Sequence, residues 1–238
     1  MSKSNFKEKL SELQTLIWTR NKRSAIELTK QVFSDIYDRD RIEAHSLLLY
    51  VYDCFYYQQT LWDKIRFALD MRDSAKILTY SYDRLNLRQT NTLLNHLIRH
   101  SWWPSSDLKN ALIDQALQLA ENTTVNHNTA LAHILKAESL VNNGSLYDVG
   151  RKEAILAEIN TAENLLENHL IRSRDLETLR QIVLIYERIS DTYGSLGNKD
   201  NQHSFMQKAY TLATCEACIY TSIITIRLGE RLNKLKKE

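Results

Sequence analysis

Glycine and proline are nearly missing from this sequence: five glycines and a single proline, Pro104, stand among 238 residues. Average usage would place about sixteen glycines and about twelve prolines in a chain of this length. Sheet proteins need both residues for their tight turns, and phosphate-cradling enzymes need glycine-rich loops. The shortage therefore argues against both classes. The glycines, Gly144, Gly150, Gly194, Gly197 and Gly229, form no P-loop, dinucleotide or nucleophile-elbow spacing. Three cysteines, an odd number, make no disulfide framework.

Charge of one sign is missing too. Thirty-one basic and 29 acidic residues leave a net charge of +2, too small a field to point to nucleic acid or an anionic membrane. No apolar run approaches the roughly twenty residues that a membrane span needs. The opening segment, Met1 to Lys9, lacks the apolar core of a secretory leader. The expectation is a cytoplasmic protein with no membrane partner.

What is present is helical periodicity almost throughout. Phe6, Leu10, Leu13, Leu16 and Ile17 form a first stripe, and Ala25, Ile26, Leu28, Val32, Phe33 and Ile36 a second. A tyrosine-rich helix follows at about 41–57. The next, about 60–80, carries Leu61, Ile65, Ala68, Leu69, Ala75 and Leu78. A fifth spans about 84–101 and stops before Pro104, which forbids helical continuation. Further helices are expected at about 106–121, 125–142, 151–168 and 173–195. The stretch 199–236 reads as two helices broken near Thr214.

That makes eleven helices with short connections, which favour antiparallel neighbours. The second helix of each successive pair offers a small residue: Val32, Ala75, Ala116, Ala162 and Ala209, spaced 43, 41, 46 and 47 residues apart. A near-constant period in this range is what stacked helical hairpins give.

Residues Ile189 to Asn198, with Tyr193, Gly194 and the turn Leu196-Gly197-Asn198, followed by Phe205, Met206 and Ala209, resemble the tetratricopeptide repeat. Ala137, Leu140 and Gly144 with Ala162 form a weaker copy. Gln202 stands where that family prefers alanine, Lys136 where it prefers a large apolar residue, and the period exceeds its usual length. The resemblance implies an all-α fold: one domain over 1–238, a right-handed superhelix of about five antiparallel hairpins with a C-terminal capping helix. It also implies a concave groove, lined by the first helix of each pair, that takes a protein or peptide ligand.

Candidate groove residues follow. Arg84, Arg88, Asn91, Asn95 and Arg99 recur at steps of 4, 3, 4 and 4 and share one helical face. Three guanidiniums interleaved with two amides can grip carboxylates, phosphates or a peptide backbone, although an ordinary solvated face is the commoner role of such a stripe. Tyr50 and Tyr57, with Asp53 between them, give the preceding helix broad contact area with polar tips; half-buried packing is the plainer role. In the fifth pair the resemblance places acidic Glu187 and Asp191 in the groove.

Other constellations carry less. Cys215 and Cys218 have CxxC spacing but no second ligand pair, and small cysteines in an apolar helix ordinarily pack. His96 and His100 share a face without the glutamate of a zinc-protease motif. No metal or other cofactor is implied. Ile219, Ile223, Ile226 and Leu228 leave two roles open for the last helix, capping the stack or pairing two copies of the chain. The sequence thus predicts a non-catalytic binding module acting as adaptor, chaperone or regulatory sensor. Two alternatives stand beside it: a nucleic-acid-associated regulator using the Arg84–Arg99 face, against which the near-neutral charge argues, and an enzyme whose site no motif reveals.

Overall fold

In a computed structural model, the structure describes residues 3–19, 21–55, 61–99, 106–122, 127–142, 148–172, 176–214 and 222–236. Among them are eleven α-helices and no strand: α1 (Lys3–Trp18), α2 (Lys22–Ile36), α3 (Arg41–Phe55), α4 (Leu61–Tyr80), α5 (Leu87–Arg99), α6 (Ser106–Glu121), α7 (His127–Asn142), α8 (Val149–Arg172), α9 (Leu176–Ser195), α10 (Lys199–Thr214) and α11 (Ser222–Leu235). No helix among these residues is long and apolar enough to cross a membrane. Their contacts gather into two compact units, Met1–Trp103 and Pro104–Glu238.

In the first unit α1 packs on α2, α2 on α3, and α3 on both α4 and α5. Leu13, Ala25, Val32, Ala44, Val51 and Phe55 meet in its core. His45 is buried where α2, α3 and α4 converge. Its Nδ1 lies 3.0 Å from Ser74 Oγ, and the rings of Phe33 and Tyr37 stand edge-on to it at 5.2 and 5.7 Å. In the second unit α6 packs on α7, α7 on α8 and α9, α9 on α10, and α10 on α11. The small residues that set the period, Val32, Ala75, Ala116, Ala162 and Ala209, are all buried. A larger side chain at any of them would overfill the contact, at about 1–3 kcal/mol.

The fifth helix starts later than its arginine spacing predicts. Asn86 caps it reciprocally: Gln89 N donates to Asn86 Oδ1 at 3.0 Å, and Asn86 N donates to Gln89 Oε1 at 3.0 Å. This capping box sets the first helical residue at Leu87. Arg84 belongs instead to a separate 3₁₀ turn, Tyr82–Arg84.

The fourth helix turns a different face inward from the one its apolar residues suggest. Phe67, Met71, Ala75 and Leu78 are buried, with Phe67 stacked on Tyr52 at 4.1 Å, while Ile65 and Leu69 are exposed. Phe67 and Met71 bury larger side chains, and they set the rotation.

The Leu196-Gly197-Asn198 turn does three jobs. Gly197 has φ 71°, the left-handed conformation that glycine adopts without a Cβ penalty. Asn198 N donates to Tyr193 O and Gly197 N to Gly194 O, both at 3.0 Å, closing a Schellman motif on α9. Asn198 then caps α10 by accepting from Asn201 N at 3.1 Å. Beyond the turn, buried Ser190 donates to Gln202 O at 2.7 Å. A Cβ on Gly194 would lie 2.5 Å from Gln202 Nε2. Glycine at 194 thus makes the room that glutamine at 202 takes up.

Candidate functional site

Most of the candidate residues sit on odd-numbered helices, and polar contacts tie α3 to α5 in the first unit and α7 to α9 and α9 to α11 in the second. In the first unit Arg88 Nη2 donates to both carboxylate oxygens of Glu43, at 2.6 and 2.5 Å, and Gln89 Nε2 adds a third donor at 2.8 Å. Ten residues along α3, buried Asp53 accepts from Asn95 Nδ2 at 3.2 Å, and His96 Nδ1 lies 3.0 Å from its other oxygen. With a carboxylate as acceptor, Nδ1 carries the proton. The two contacts fall in the same order along both helices, so α3 and α5 run in the same direction. Thr90 and Thr92 return their hydroxyls to the Asn86 and Arg88 carbonyls, which lets them sit buried in the helix.

In the second unit Arg188 of α9 grips Glu138 of α7, with its Nε at 2.7 Å. Glu187, on the next residue position, is buried and receives Arg227 and Arg231 of α11; Arg231 also reaches Asp191. Glu187–Arg227 and Asp191–Arg231 again keep the same order, so α9 and α11 are parallel. Burial pushes the Asp191 carboxyl up, partly offset by Arg231. Burial lowers the Arg231 pKa, yet Asp191 and Glu187 outweigh it and leave it raised. The arginine side governs this contact, because 52% of the Asp191 side chain stays exposed and water tempers its desolvation.

The stripe expected to face a ligand thus faces, in part, its own chain. Arg88 and Asn95 are engaged by α3, Asn91 is buried, Arg84 is exposed on the preceding turn, and Arg99 closes α5. The Arg99 side chain and all of Tyr57 lie outside the described residues. Tyr50 is half-buried against the α1–α3 core, while Asp53 is buried against α5. Glu187 and Asp191, expected to line the groove, are engaged by the arginines of α11.

Sequence spacing missed Glu43, Glu138, Arg188, Arg227 and Arg231. The signal existed at long range: the pairs Glu43–Arg88, Glu138–Arg188 and Glu187–Arg231 are 45, 50 and 44 residues apart, close to the repeat period. The Asn86–Gln89 capping box was also readable.

Lys136, an odd choice for an apolar position, is explained by Glu158 of α8. His133 Nδ1 and Lys136 Nζ hold its two oxygens at 2.7 and 2.6 Å. Burial pushes the Glu158 carboxyl up, but these hydrogen bonds outweigh it and its pKa is lowered. An open groove of about 690 Å³ runs along α9 and α10 past Tyr186, His203, Gln207 and Thr211. Its cation, Lys208, is engaged by Glu163 and stands 4.8 Å over the Phe205 ring.

Among the described residues no group of three or more His, Cys, Asp or Glu side chains converges to hold a metal ion. His96 is turned to Asp53, while His100, Cys215 and Cys218 lie outside the described residues. No family model, curated protein or solved structure matches this chain.

Proposed function

We propose that the chain is a protein- or peptide-binding helical-repeat module of tetratricopeptide-like architecture, acting without catalysis as an adaptor, chaperone or regulatory sensor. The observation that carries this reading is the recurring rung between odd helices: Glu43 to Arg88, Glu138 to Arg188, Glu187 to Arg231. Hairpins stacked in register bring each first helix beside the next, at one repeat of separation. The first and last rungs are part-exposed at the arginine or beside it, while the Glu138–Arg188 rung is more deeply set. The rungs therefore offer charged and amide groups, already fixed in place, to an extended ligand. The balanced charge of the rungs favours a peptide over a polyphosphate.

The test is capture from a lysate of the source organism with the partner identified by mass spectrometry, repeated with the double charge swap Glu43→Arg/Arg88→Glu. The swap keeps the internal ion pair while reversing the pattern shown to a ligand. Loss of the partner with an unchanged melting curve supports the reading; undiminished capture removes this face from it.

A further inference from the structure

A surface remains that neither the rungs nor the core uses. Six large apolar side chains are exposed among the described residues, and four of them fall between residues 65 and 82: Ile65 (49%), Leu69 (49%), Tyr80 (83%) and Tyr82 (43%). Single exposed apolar residues are ordinary, whereas a concentration on one element is not. Ile65, Leu69, Arg72, Lys76 and Tyr80 recur at steps of 4, 3, 4 and 4 along α4, so they line one stripe about 22 Å long. That stripe lies opposite the buried face of Phe67, Met71, Ala75 and Leu78. A solvent-facing helix centre is normally polar. Here its first half is aliphatic and its second half cationic.

The helix beneath is held firmly. Phe67 stacks on Tyr52 at 4.1 Å and 12° between planes, and Ser74 is hydrogen-bonded to His45. The stripe is a preformed ridge, so a partner bears little cost of ordering it. Arg72 lies 3.6 Å from neighbouring Asp73, an exposed contact worth little.

We propose that the outer ridge of α4 is a docking surface for an acidic amphipathic helix of a partner protein. Such a helix sets aliphatic side chains over Ile65 and Leu69 and carboxylates over Arg72 and Lys76. The charges select this occupant. Asp70 and Asp73 share one side of the ridge with exposed Arg66, and Asp83 and Arg84 follow in the next turn, so carboxylates and cations alternate around it. An anionic membrane would meet the three carboxylates with the same charge it sets against the cations, whereas a helix can place its own carboxylates against Arg72 and Lys76 alone. A second copy of the chain fits poorly: two-fold pairing of the ridge brings Arg72 against Arg72 and Leu69 against Lys76.

The probe is a fluorescein-labelled, stapled helical peptide with two leucines one turn apart followed by two glutamates one turn apart, titrated with the full chain and read by fluorescence anisotropy. Binding should saturate and weaken by about tenfold or more in I65S/L69S and in R72E/K76E. The R72E/K76E variant should regain binding to the same peptide with lysines in place of glutamates. Ile65, Leu69 and Arg72 are exposed and Lys76 is half-buried off the core face, so melting curves should be unchanged, and the swap E43R/R88E should bind as the wild type does. Any of three results overturns the proposal: no saturable binding; equal binding by wild type and both ridge variants; or, with no peptide binding, retention on phosphatidylserine vesicles or a dimer that either variant abolishes.

Discussion

Arg88 reaches back forty-five residues to lay one nitrogen on both carboxylate oxygens of Glu43. The same partnership joins Arg188 to Glu138 and Arg231 to Glu187, at separations of 50 and 44 residues. The device joins α3 to α5 in the first unit and both α7 to α9 and α9 to α11 in the second. It gives the stacking a chemical register as well as an apolar one: a slip of one turn would break every rung at once.

Arg231 is the keystone of the last rung. Arg231→Ala should cost about 1–3 kcal/mol, because buried Glu187 would keep Arg227 alone of its two arginines. Limited proteolysis should then release α11 first. A variant that resists protease as the wild type does would show that apolar contacts of Leu228 and Leu232 suffice.

Gly197→Ala should destabilise the second unit by about 1–2 kcal/mol. Nothing lies within 4 Å of a Cβ there, so the loss is purely conformational, from φ 71°. Gly197→Asn should lose less, since asparagine tolerates that region. Urea unfolding distinguishes the two, and equal losses would refute the conformational cause.

His45 gives the first unit a pH dependence. Burial lowers its pKa below the ordinary 6.5, and Arg41, a turn earlier on α3, lowers it further; only Asp73 of α4 opposes this. Phe33 of α2, Tyr37 just beyond it and Ser74 of α4 bring no charge to it. The folded state prefers the neutral ring, so its stability is full above the ordinary pKa of 6.5 and is lost as pH falls through the folded value. Glu158, also lowered, loses its share further down, below the ordinary carboxylate value of 4.5. His45→Gln should flatten the urea midpoint between pH 7.5 and 5.5. An unchanged slope would assign the loss elsewhere.

Asp53→Ala should loosen the α3–α5 contact by about 2–3 kcal/mol, as it removes the acceptor used by Asn95 and His96. Hydrogen exchange should quicken in α5 ahead of α1 and α2. Uniform exchange would mean that the apolar contacts of Leu93, Leu94 and Leu97 alone hold the helix.

Helix number and pairing were legible because they rest on local rules: apolar period, caps, and a shortage of turn residues. The division of 199–236 into two helices, α10 and α11, was visible in the same way. Face assignment was less legible. On α4, hydropathy ranks Ile65 and Leu69 with the core, and only the bulk of Phe67 and Met71 decides the rotation. The polar face was legible in composition but not in partnership. Arg88 and Asn95 announce a stripe by spacing, whereas the carboxylates that take them, Glu43 and Asp53, lie a full repeat away. Local periodicity carries no information at that range.

The central claim, that the face of odd helices receives a partner protein, is tested most directly by a photo-crosslinking residue placed at Asp191, exposed beside the α9–α11 rung, and separately at Glu153, exposed on α8. The account predicts an adduct with the captured partner from position 191 and none from position 153. An adduct from position 153 alone, or equal adducts from both, would contradict it.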